Sequence, residues 1–406
     1  MDNDKFYEAA KFLHVMVRQS LDNLESNQEN KKTPEGYLKN LKGTSYYLKK
    51  ISELRERKSQ PKFGVFGPRK RGKSSMLNRL IGADIMPVHT VPMTRTSVEA
   101  HHDETCESGT WKVTVEFPDR RIERTETMKK PEEVYQKIQQ YGTSQAKDEL
   151  AEKIEIRCNF DKCEILKKGG ILVDTPGAEA LIGKEDPEDD GHPKTEPATA
   201  PKEKQLDNPD NMNTENSADE NDPTLEADTK RALKILKTVD VVIFCARGNY
   251  PGSKKERDFY KQYLSGLRPL IVINWKDKWE GSNKDPVAEA VNLYGFPWDR
   301  TLPFSAEWAK DEQTREKSGL VDLEKKILSE IEYITSHKGI EDCFKEYEHN
   351  ILNYLRFENN ELIMPYAIHV MNFYQCLTEI DEEWARDFAQ KLNASKLWSS
   401  QLNKLY

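Results

Sequence analysis

The stretch KFGVFGPRKRGKSSMLNRLIG, residues 62–82, decides the fold. Its apolar residues 63–66 predict a buried strand, and residues 75–80 predict a helix. Between them lies a loop with the spacing G-x-x-x-x-G-K-S, which opens at Gly67 and closes at Gly72. A strand, a glycine-bounded loop and a helix in this order are typical of a phosphate-binding loop in an α/β protein.

The residues of this loop match the chemistry of a nucleotide. Gly67 and Gly72 allow backbone N–H groups to point inward, and the helix adds the positive end of its dipole. Lys73 can reach the β- and γ-phosphates, and the hydroxyl of Ser74 can ligate Mg²⁺. The loop therefore predicts binding of a nucleoside triphosphate together with Mg²⁺.

The composition limits the class of protein. The chain has 406 residues, of which 33% are charged and 36% hydrophobic, and its net charge is −8. The length predicts two or three domains, and the acidic balance argues against a nucleic-acid partner. The sequence has no apolar run long enough to span a membrane and no signal peptide at its N-terminus. We therefore expect a cytoplasmic protein.

The six cysteines do not form a C-x-x-C pair. This spacing predicts free thiols in a reducing compartment. Cys158 and Cys163 could form a metal site with His101 and His102, but we interpret all four as ordinary strand and loop residues.

Helical periodicity extends beyond the α/β region at both ends of the chain. Apolar residues recur at helical spacing over residues 4–27, 34–57 and 319–406. We expect these helices to pack together as one bundle. The segment 183–224 has almost no large apolar residues and many acidic ones, so it predicts a disordered insertion. We interpret it as a solvated linker; the alternative is a regulatory tether for the loop in which it lies.

Two further segments carry residues suited to a γ-phosphate and its Mg²⁺. A threonine in the Pro-rich loop after the first helix can supply its hydroxyl. We select Thr94, although spacing alone leaves Thr90 and Thr96 as rivals. The next buried strand ends at Asp174, which can hold Mg²⁺ through water, and the N–H of Gly177 can contact the γ-phosphate.

Two strand ends predict a pocket for the base. The strand 270–273 leads into the motif NWKD, residues 274–277. Asp277 can accept two hydrogen bonds from N1 and N2 of guanine, and adenine lacks this pair of donors. After the strand 302–304, the backbone N–H groups of Ser305 and Ala306 can meet guanine O6.

The remaining pattern predicts the edges of the sheet. Residues 111–117 alternate as a strand, and residues 120–125 would be its hairpin partner. Residues 131–152 predict a helix broken near Gly142, and residues 254–264 predict another helix.

The motifs GPRKRGKSS, Thr94, DTPG, NWKD and SA, in this order and at the ends of strands, resemble the P-loop GTPases. The double serine Ser74-Ser75, the Pro-rich segment PVHTVPMT and residues 154–177 resemble the bacterial dynamin-like proteins. The resemblance covers residues 60–310, and the flanking helices fit the helical neck of that family in pattern.

This resemblance implies an α/β fold, in which a mostly parallel sheet is wrapped by helices and both chain ends build a helical bundle. It implies Mg²⁺-dependent hydrolysis of GTP, coupled to self-association that moves the bundle. It also implies a homodimer across the GTPase face, a peripheral contact with a membrane or a dynamin-like partner chain, and no nucleic acid. The metal ligands would be Ser74, Thr94 and Asp174. The nucleotide would be held by Gly67, Gly72, Lys73, Ser74, Ser75, Asp174, Gly177, Asn274, Lys276, Asp277, Ser305 and Ala306.

Three departures from the family pattern matter. Trp275 stands where the guanine motif of the family has Lys, so an aromatic face replaces an alkyl chain beside the base. Arg69 and Lys70 replace the Gln and Ser of the dynamin loop. We hypothesise that one of them supplies charge to the transition state after dimerisation; the alternative is a basic loop that only attracts the nucleotide. Ala178 follows Gly177, where Ras-like proteins have Gln.

We divide the chain into N-terminal helices (1–58), a dynamin-like GTPase domain (59–312) that contains the insertion, and C-terminal helices (313–406). Two other functions stay open. A GTP-binding scaffold with little turnover is favoured by Trp275 and the altered loop, and an Era-like ribosome-assembly GTPase is disfavoured by the acidic composition. The final helices look too short for a dynamin stalk and membrane tip, so the chain could be a fragment, a short family member or one partner of a pair.

Overall fold

The structure is a computed structural model. It has an α/β fold with one β-sheet and helices from both chain ends. It describes residues 3–26, 42–46, 48–51, 53, 60–67, 71–88, 96–118, 125–143, 150–176, 223–247, 257, 259–279, 285–356, 364–395 and 398. Both the sheet and the helical ends contribute buried side chains to one continuous apolar core.

Within these residues, nine strands form a single sheet in the order β4-β3-β5-β2-β6-β1-β7-β8-β9. The strands β6, β1, β7, β8 and β9 run parallel to one another. β2 and β5 are parallel to each other, whereas β2 is antiparallel to β6, and β3 is antiparallel to β4 and β5. The predicted mostly parallel sheet is therefore confirmed. The strand bounds are β1 Lys62–Phe66, β2 Ser97–His102, β3 Trp111–Glu116, β4 Glu126–Met128, β5 Lys153–Cys158, β6 Ile171–Asp174, β7 Val241–Arg247, β8 Leu270–Asn274 and β9 Thr301–Pro303.

Helices cover the sheet and extend from it. The helix bounds are α1 Asn3–Ser26, α2 Lys73–Ile81, α3 Pro131–Gly142, α4 Glu164–Lys167, α5 Pro223–Thr238, α6 Lys276–Trp279, α7 Pro286–Tyr294, α8 Leu320–Thr335, α9 His337–Arg356, α10 Met364–Ile380 and α11 Glu382–Asn393. Residues 42–46 and 48–51 are also helical. None of the helices in the described ranges combines the length and the apolar character that crossing a bilayer requires.

The two chain ends form the predicted helical bundle. α1 packs against α9 and α10, and α11 packs against the same two helices. The aromatic ring of Phe373 lies 6.0 Å from that of Phe344 and 5.2 Å from that of Phe388, measured between ring centroids. Leu13 and Val17 of α1 are fully buried in the same core. This packing removes the apolar faces of both chain ends from water, which favours the bundle.

The bundle is attached to the amino ends of three parallel strands. Just before β7, the buried Asp240 lies 3.7 Å from the ammonium of Lys50, which belongs to the N-terminal helical segment. Just before β8, Arg268 donates to Glu346 of α9 at 2.7 Å. Just before β9, Arg300 donates to Glu330 of α8 at 2.7 Å, and both side chains are buried.

The structure tests two predictions on the far side of the sheet. It pairs β3 with β4, residues 126–128. Of the predicted hairpin partner, residues 120–125, only Thr125 is described; its hydroxyl lies 2.9 Å from that of Thr114 in β3, and the pairing of residues 120–124 stays a prediction. The break predicted near Gly142 is confirmed, because the helix that begins at Pro131 ends there, but residues 150–152, predicted to continue it, are not helical. A Cβ atom on Gly142 would press on Ile154 at 3.0 Å, and Thr143 continues with extended backbone.

Two further predictions are tested only in part. The helix predicted over 254–264 has a π-helical last turn, Tyr260–Leu264. The insertion predicted over 183–224 lies outside the described residues up to position 222, and its last two residues begin α5.

Candidate functional site

The phosphate loop connects β1 to α2 and requires glycine at both of its ends. Gly67 has φ of 142° and Gly72 has φ of 80°, a region that residues with a side chain rarely adopt. A Cβ atom on Gly67 would collide with the carbonyl oxygen of Cys245, and one on Gly72 would collide with Nδ2 of Asn274. Both neighbours therefore fix the loop from the carboxyl ends of adjacent strands.

Lys73 and Ser74 begin α2, so they lie at the positive end of its dipole. The ammonium of Lys73 is buried and donates to the carbonyl of Gly67 at 2.9 Å, which folds the side chain across the loop. The hydroxyl of Ser74 donates to Oδ2 of Asp174 at 3.0 Å. Ser75 follows in the same turn and is half-buried. The loop thus brings together a cation, a hydroxyl and a carboxylate.

Asp174, at the end of β6, has the features of a metal ligand. Its side chain is fully buried, and burial raises its pKa to about 6, although Lys73 and Ser74 oppose the rise. Within the described part of the chain, its Oδ1 has no hydrogen-bond partner. A buried carboxylate oxygen without a partner calls for an explanation, and a bound cation supplies one. Together with the adjacent serine hydroxyl, it offers the oxygen ligands that Mg²⁺ prefers. Ser74 and Asp174 therefore fit this ion.

The threonine candidates separate in the structure. Thr96 is buried at the start of β2, and its hydroxyl donates to the carbonyl of Ala151 at 2.7 Å. This hydrogen bond commits Thr96 to the sheet and not to a phosphate. Thr90 and Thr94 lie outside the described residues, so the choice of Thr94 stays a prediction.

Three other predicted residues also lie outside the described part of the chain. Arg69 and Lys70 belong to the undescribed middle of the phosphate loop, and Gly177 follows the last described residue of the β6 segment. Their roles stay predictions as well.

Asn274 links the base motif to the phosphate loop. It is buried at the end of β8, and its Nδ2 donates to the carbonyl of Arg71 at 2.8 Å. Its Oδ1 accepts the backbone N–H of Trp275, also at 2.8 Å. The thiol of Cys245 donates to the same Arg71 carbonyl at 3.1 Å. The end of the phosphate loop is therefore fastened to both β7 and β8.

Asp277 is oriented by the segment that follows β9. The hydroxyl of Ser305 donates to Oδ1 of Asp277 at 2.6 Å, and the backbone N–H of Ser305 donates to the carbonyl of Ser318 at 2.8 Å. Ala306 follows and is half-buried against the core. The ammonium of Lys276 donates to the carbonyl of Lys317 at 2.8 Å, so this side chain fastens the loop before α8.

Sequence reasoning missed Cys245 and Ser318 as supports of the site. The sequence could have indicated the position of Cys245. It lies in the carboxyl half of β7, which neighbours the strand that leads into the phosphate loop. Ser318 acts through its backbone carbonyl, for which no residue type is a signal.

A second cluster of possible ligands lies away from this edge of the sheet. Glu99, His101 and Glu155 bring a ligand atom each within 4.8 Å of one another. However, Glu99 already pairs with Lys62 at 2.6 Å, and Glu155 is 3.4 Å from the ammonium of Lys153. Since these cations neutralise both carboxylates, we interpret the cluster as an ion-pair network of the sheet.

The cysteines that could have joined His101 in a metal site are buried thiols. Burial raises the pKa of Cys158 to about 12 and that of Cys163 to about 11, so neither is poised as a thiolate ligand. The Nδ1 of His102 accepts the backbone N–H of Phe160 at 3.1 Å. These contacts are structural, in line with our interpretation of the sequence.

The elements of the main site meet because of the strand order. β6, β1, β7, β8 and β9 are parallel neighbours, so their carboxyl ends lie along one edge. Ligands of open α/β sheets bind at this edge. This edge carries the phosphate loop, a buried carboxylate suited to a metal ion, and the NWKD motif. Together these features define the class of protein, a P-loop GTPase domain.

The comparison with family models identifies the branch. The model of the dynamin family matches residues 64–276, which is more than half of the chain. The chain therefore belongs to the dynamin family, as its motifs indicated. No curated protein matches the sequence.

Solved structures also align with the chain. Two belong to an oligomerised bacterial dynamin pair described as a mechanism for long-range sensing and tethering of membranes. They have TM-scores of 0.44, identities of 18% and 17%, and cover 94% of this chain and 54% of their own. A third is Era in complex with MgGDPNP and a segment of 16S ribosomal RNA, with a TM-score of 0.33, 15% identity, and coverage of 67% and 57%. The chain thus spans about half the length of the solved dynamin chains that it matches.

Proposed function

We propose that this chain is a Mg²⁺-dependent GTPase whose nucleotide lies at the carboxyl ends of β1, β6, β8 and β9. The observation that carries the proposal is the bridge made by Asn274. Its carboxamide joins the carbonyl of Arg71 in the phosphate loop to the turn that presents Asp277. One side chain thus sets the spacing between a phosphate-binding and a base-reading element. Membership of the dynamin family supports GTP as the nucleotide.

Each side chain has a task in the proposed reaction. The ammonium of Lys73 leaves its carbonyl partner and meets the β- and γ-phosphates, to which the backbone N–H groups of the loop also donate. Asp277, held by Ser305, accepts the hydrogen bonds of the guanine edge. Ser74 and Asp174 would hold Mg²⁺, which neutralises charge on the phosphate oxygens when it is bound.

Residues outside the described ranges complete the proposed site. We assign Thr94 to the metal and the γ-phosphate, and the N–H of Gly177 to the γ-phosphate. Arg69 or Lys70 supplies positive charge as charge develops on the transferred group. Such a group can act after a second copy of the chain packs across the nucleotide face, which makes self-association part of the proposal.

The proposed domain arrangement follows the packing. Residues 59–312 form the GTPase domain, and residues 1–58 and 313–406 form the bundle that it moves. The shared core of α1, α9 and α10 supports one bundle built from both chain ends. The proposed place of action is the surface of a membrane, in peripheral contact, and co-sedimentation with liposomes in the presence of GTP tests that part.

Phosphate release from GTP tests the function, with ATP as the control nucleotide and over a range of protein concentrations. We expect turnover per molecule to rise with concentration, ATP to be inert and Lys73→Ala to be inactive. The control variant Lys310→Ala removes an exposed lysine that pairs only with its neighbour Glu307 among the contacts described, and it should keep full activity. GTP binding without turnover at every concentration would favour the scaffold function, and no GTP binding would refute the proposal.

A further inference from the structure

Trp275 has a backbone conformation that is unusual for an aromatic residue. Its φ is 69°, in the left-handed region that bulky side chains avoid. Three hydrogen bonds hold it there: its N–H donates to Oδ1 of Asn274, its carbonyl accepts the N–H of Lys278 at 2.8 Å, and the next N–H donates to Phe304 at 2.9 Å. These hydrogen bonds hold the backbone of Trp275 in a conformation that tryptophan disfavours. They therefore fix the direction in which its side chain points.

That direction leads to the closing glycine of the phosphate loop. The indole Nε1 of Trp275 lies 3.9 Å from the point where a Cβ atom on Gly72 would stand. The indole is half-buried, so part of its surface stays open to solvent. Two residues further on, Asp277 is held by Ser305. The indole therefore lies beside the end of the phosphate loop, in the same short motif as the carboxylate proposed to read the base.

We propose that the indole of Trp275 is the aromatic wall of the base pocket, on which the face of guanine stacks. This inference rests on the proposed function and names the residue that supplies most of the affinity for the base. Asp277 reads only the edge of the purine ring through hydrogen bonds. A flat π-system needs a second contact on its face, and an indole offers the largest one among side chains.

The division of tasks predicts how affinity and selectivity separate. Stacking depends on the π-face, which guanine shares with hypoxanthine, the base of IDP, whereas the 2-amino group of guanine is read by the carboxylate alone. Replacing one stacking aromatic residue by alanine weakens nucleotide binding about 5- to 150-fold. We expect Trp275→Ala to weaken GDP and IDP by the same factor, so the ratio of their dissociation constants stays unchanged.

Calorimetry on the full chain measures this ratio. GDP and IDP with Mg²⁺ are titrated into the wild type, Trp275→Ala, Trp275→Phe and the control Trp298→Ala. Trp298 is 59% exposed and lies just before the amino end of β9, whereas the proposed nucleotide site lies at the carboxyl ends of the strands. We expect Trp275→Phe to keep most of the affinity, because a smaller ring still stacks, and the control to match the wild type. Thermal unfolding confirms that each variant is folded.

Tryptophan fluorescence supplies a readout that a purely structural role would not give. A stacked guanine quenches indole emission, so GDP should quench the wild type and Trp298→Phe, and this part of the quenching should be absent in Trp275→Phe. The inference is overturned if the wild type binds GDP but Trp275→Ala binds it within twofold, or if quenching persists in Trp275→Phe. A wild type that binds no guanine nucleotide would refute the proposed function itself, and the inference with it.

Discussion

Replacing Asp174 by asparagine tests two effects of the buried carboxylate separately: its effect on the free energy of unfolding and its proposed binding of Mg²⁺. The side chain is fully buried, and Oδ1 has no hydrogen-bond partner among the described residues. Burial raises its pKa from 3.8 to about 6. Asparagine keeps the shape and the acceptor for Ser74 but carries no charge. We therefore expect Asp174→Asn to be more stable than the wild type when metal and nucleotide are absent.

The size of the effect follows from the pKa. One pKa unit corresponds to about 1.4 kcal/mol, so the rise at Asp174 corresponds to a cost on the order of 3 kcal/mol for the ionised form at neutral pH. The new amide still needs partners, so we expect a net gain of about 1–3 kcal/mol in the free energy of unfolding. With Mg²⁺ and GDP at about 100 times the dissociation constant, the wild type should gain about 2.7 kcal/mol. The variant should lose the Mg²⁺-dependent part of that gain.

Urea unfolding at neutral pH measures both effects, first with chelator and then with GDP in the presence and absence of Mg²⁺. Asp299→Asn is the matched control, since Asp299 is an exposed carboxylate before β9. A metal-free Asp174→Asn protein that is less stable than the wild type would refute the argument about charge burial. An Mg²⁺-dependent gain equal to that of the wild type would show that Asp174 does not serve the metal.

Three other substitutions have defined outcomes. Gly72→Ala forces a Cβ atom onto Asn274, and we expect calorimetry to show guanine-nucleotide binding weakened about 10- to 100-fold; unchanged affinity would contradict the bridge. Lys50→Met removes the ammonium 3.7 Å from the buried Asp240, which keeps the N–H of Lys62 at 2.9 Å, so the free energy of unfolding should fall by about 3 kcal/mol, and the added change Asp240→Asn should recover part of it; a loss below about 1 kcal/mol would count against this pair. For Glu99, burial raises the pKa, but His101 and Lys62 outweigh it and lower the pKa to about 2, so its contribution is present above about pH 4.5 and is lost as the pH falls towards 2. The stability lost in Glu99→Gln, about 3 kcal/mol at neutral pH, should shrink over that range in a pH series of urea titrations; a constant difference would argue against the ion pairs.

Local patterns were enough to predict most strands and helices on the nucleotide side of the sheet. The phosphate loop, β6 with Asp174 and β8 with Asn274 lie where apolar runs and their boundaries placed them. These runs are buried on both faces, so their hydrophobicity is continuous and easily read. The far side was harder, because the pairing of β3 with β4 depends on the register of the sheet.

Residue types led to a prediction for the chemistry of the site, but they could not predict its contacts. Spacing predicted Asn274 and Asp277 as base readers, yet it could not show that the Asn274 carboxamide fastens the phosphate loop. Nor could spacing show that the ammonium of Lys276 turns towards the carbonyl of Lys317. Spacing also left Thr96 as an alternative to Thr94, whereas the structure shows that the hydroxyl of Thr96 donates to the carbonyl of Ala151. Such contacts join residues far apart in sequence, so only the fold determines them.

The proposed nucleotide site lies at the carboxyl ends of the parallel strands and the bundle at their amino ends, and α8 connects the two. The helix begins at Leu320, and its N-cap Gly319 follows Ser318, whose carbonyl accepts the N–H of Ser305 in the proposed base pocket. Its 16 residues span about 24 Å, and it then continues into α9 of the bundle. Along the way Glu330 pairs with Arg300 at the amino end of β9. A shift of the Ser305 loop on nucleotide binding therefore acts on the first turn of a helix whose far end belongs to the bundle, which gives the proposed coupling a rigid path through described residues.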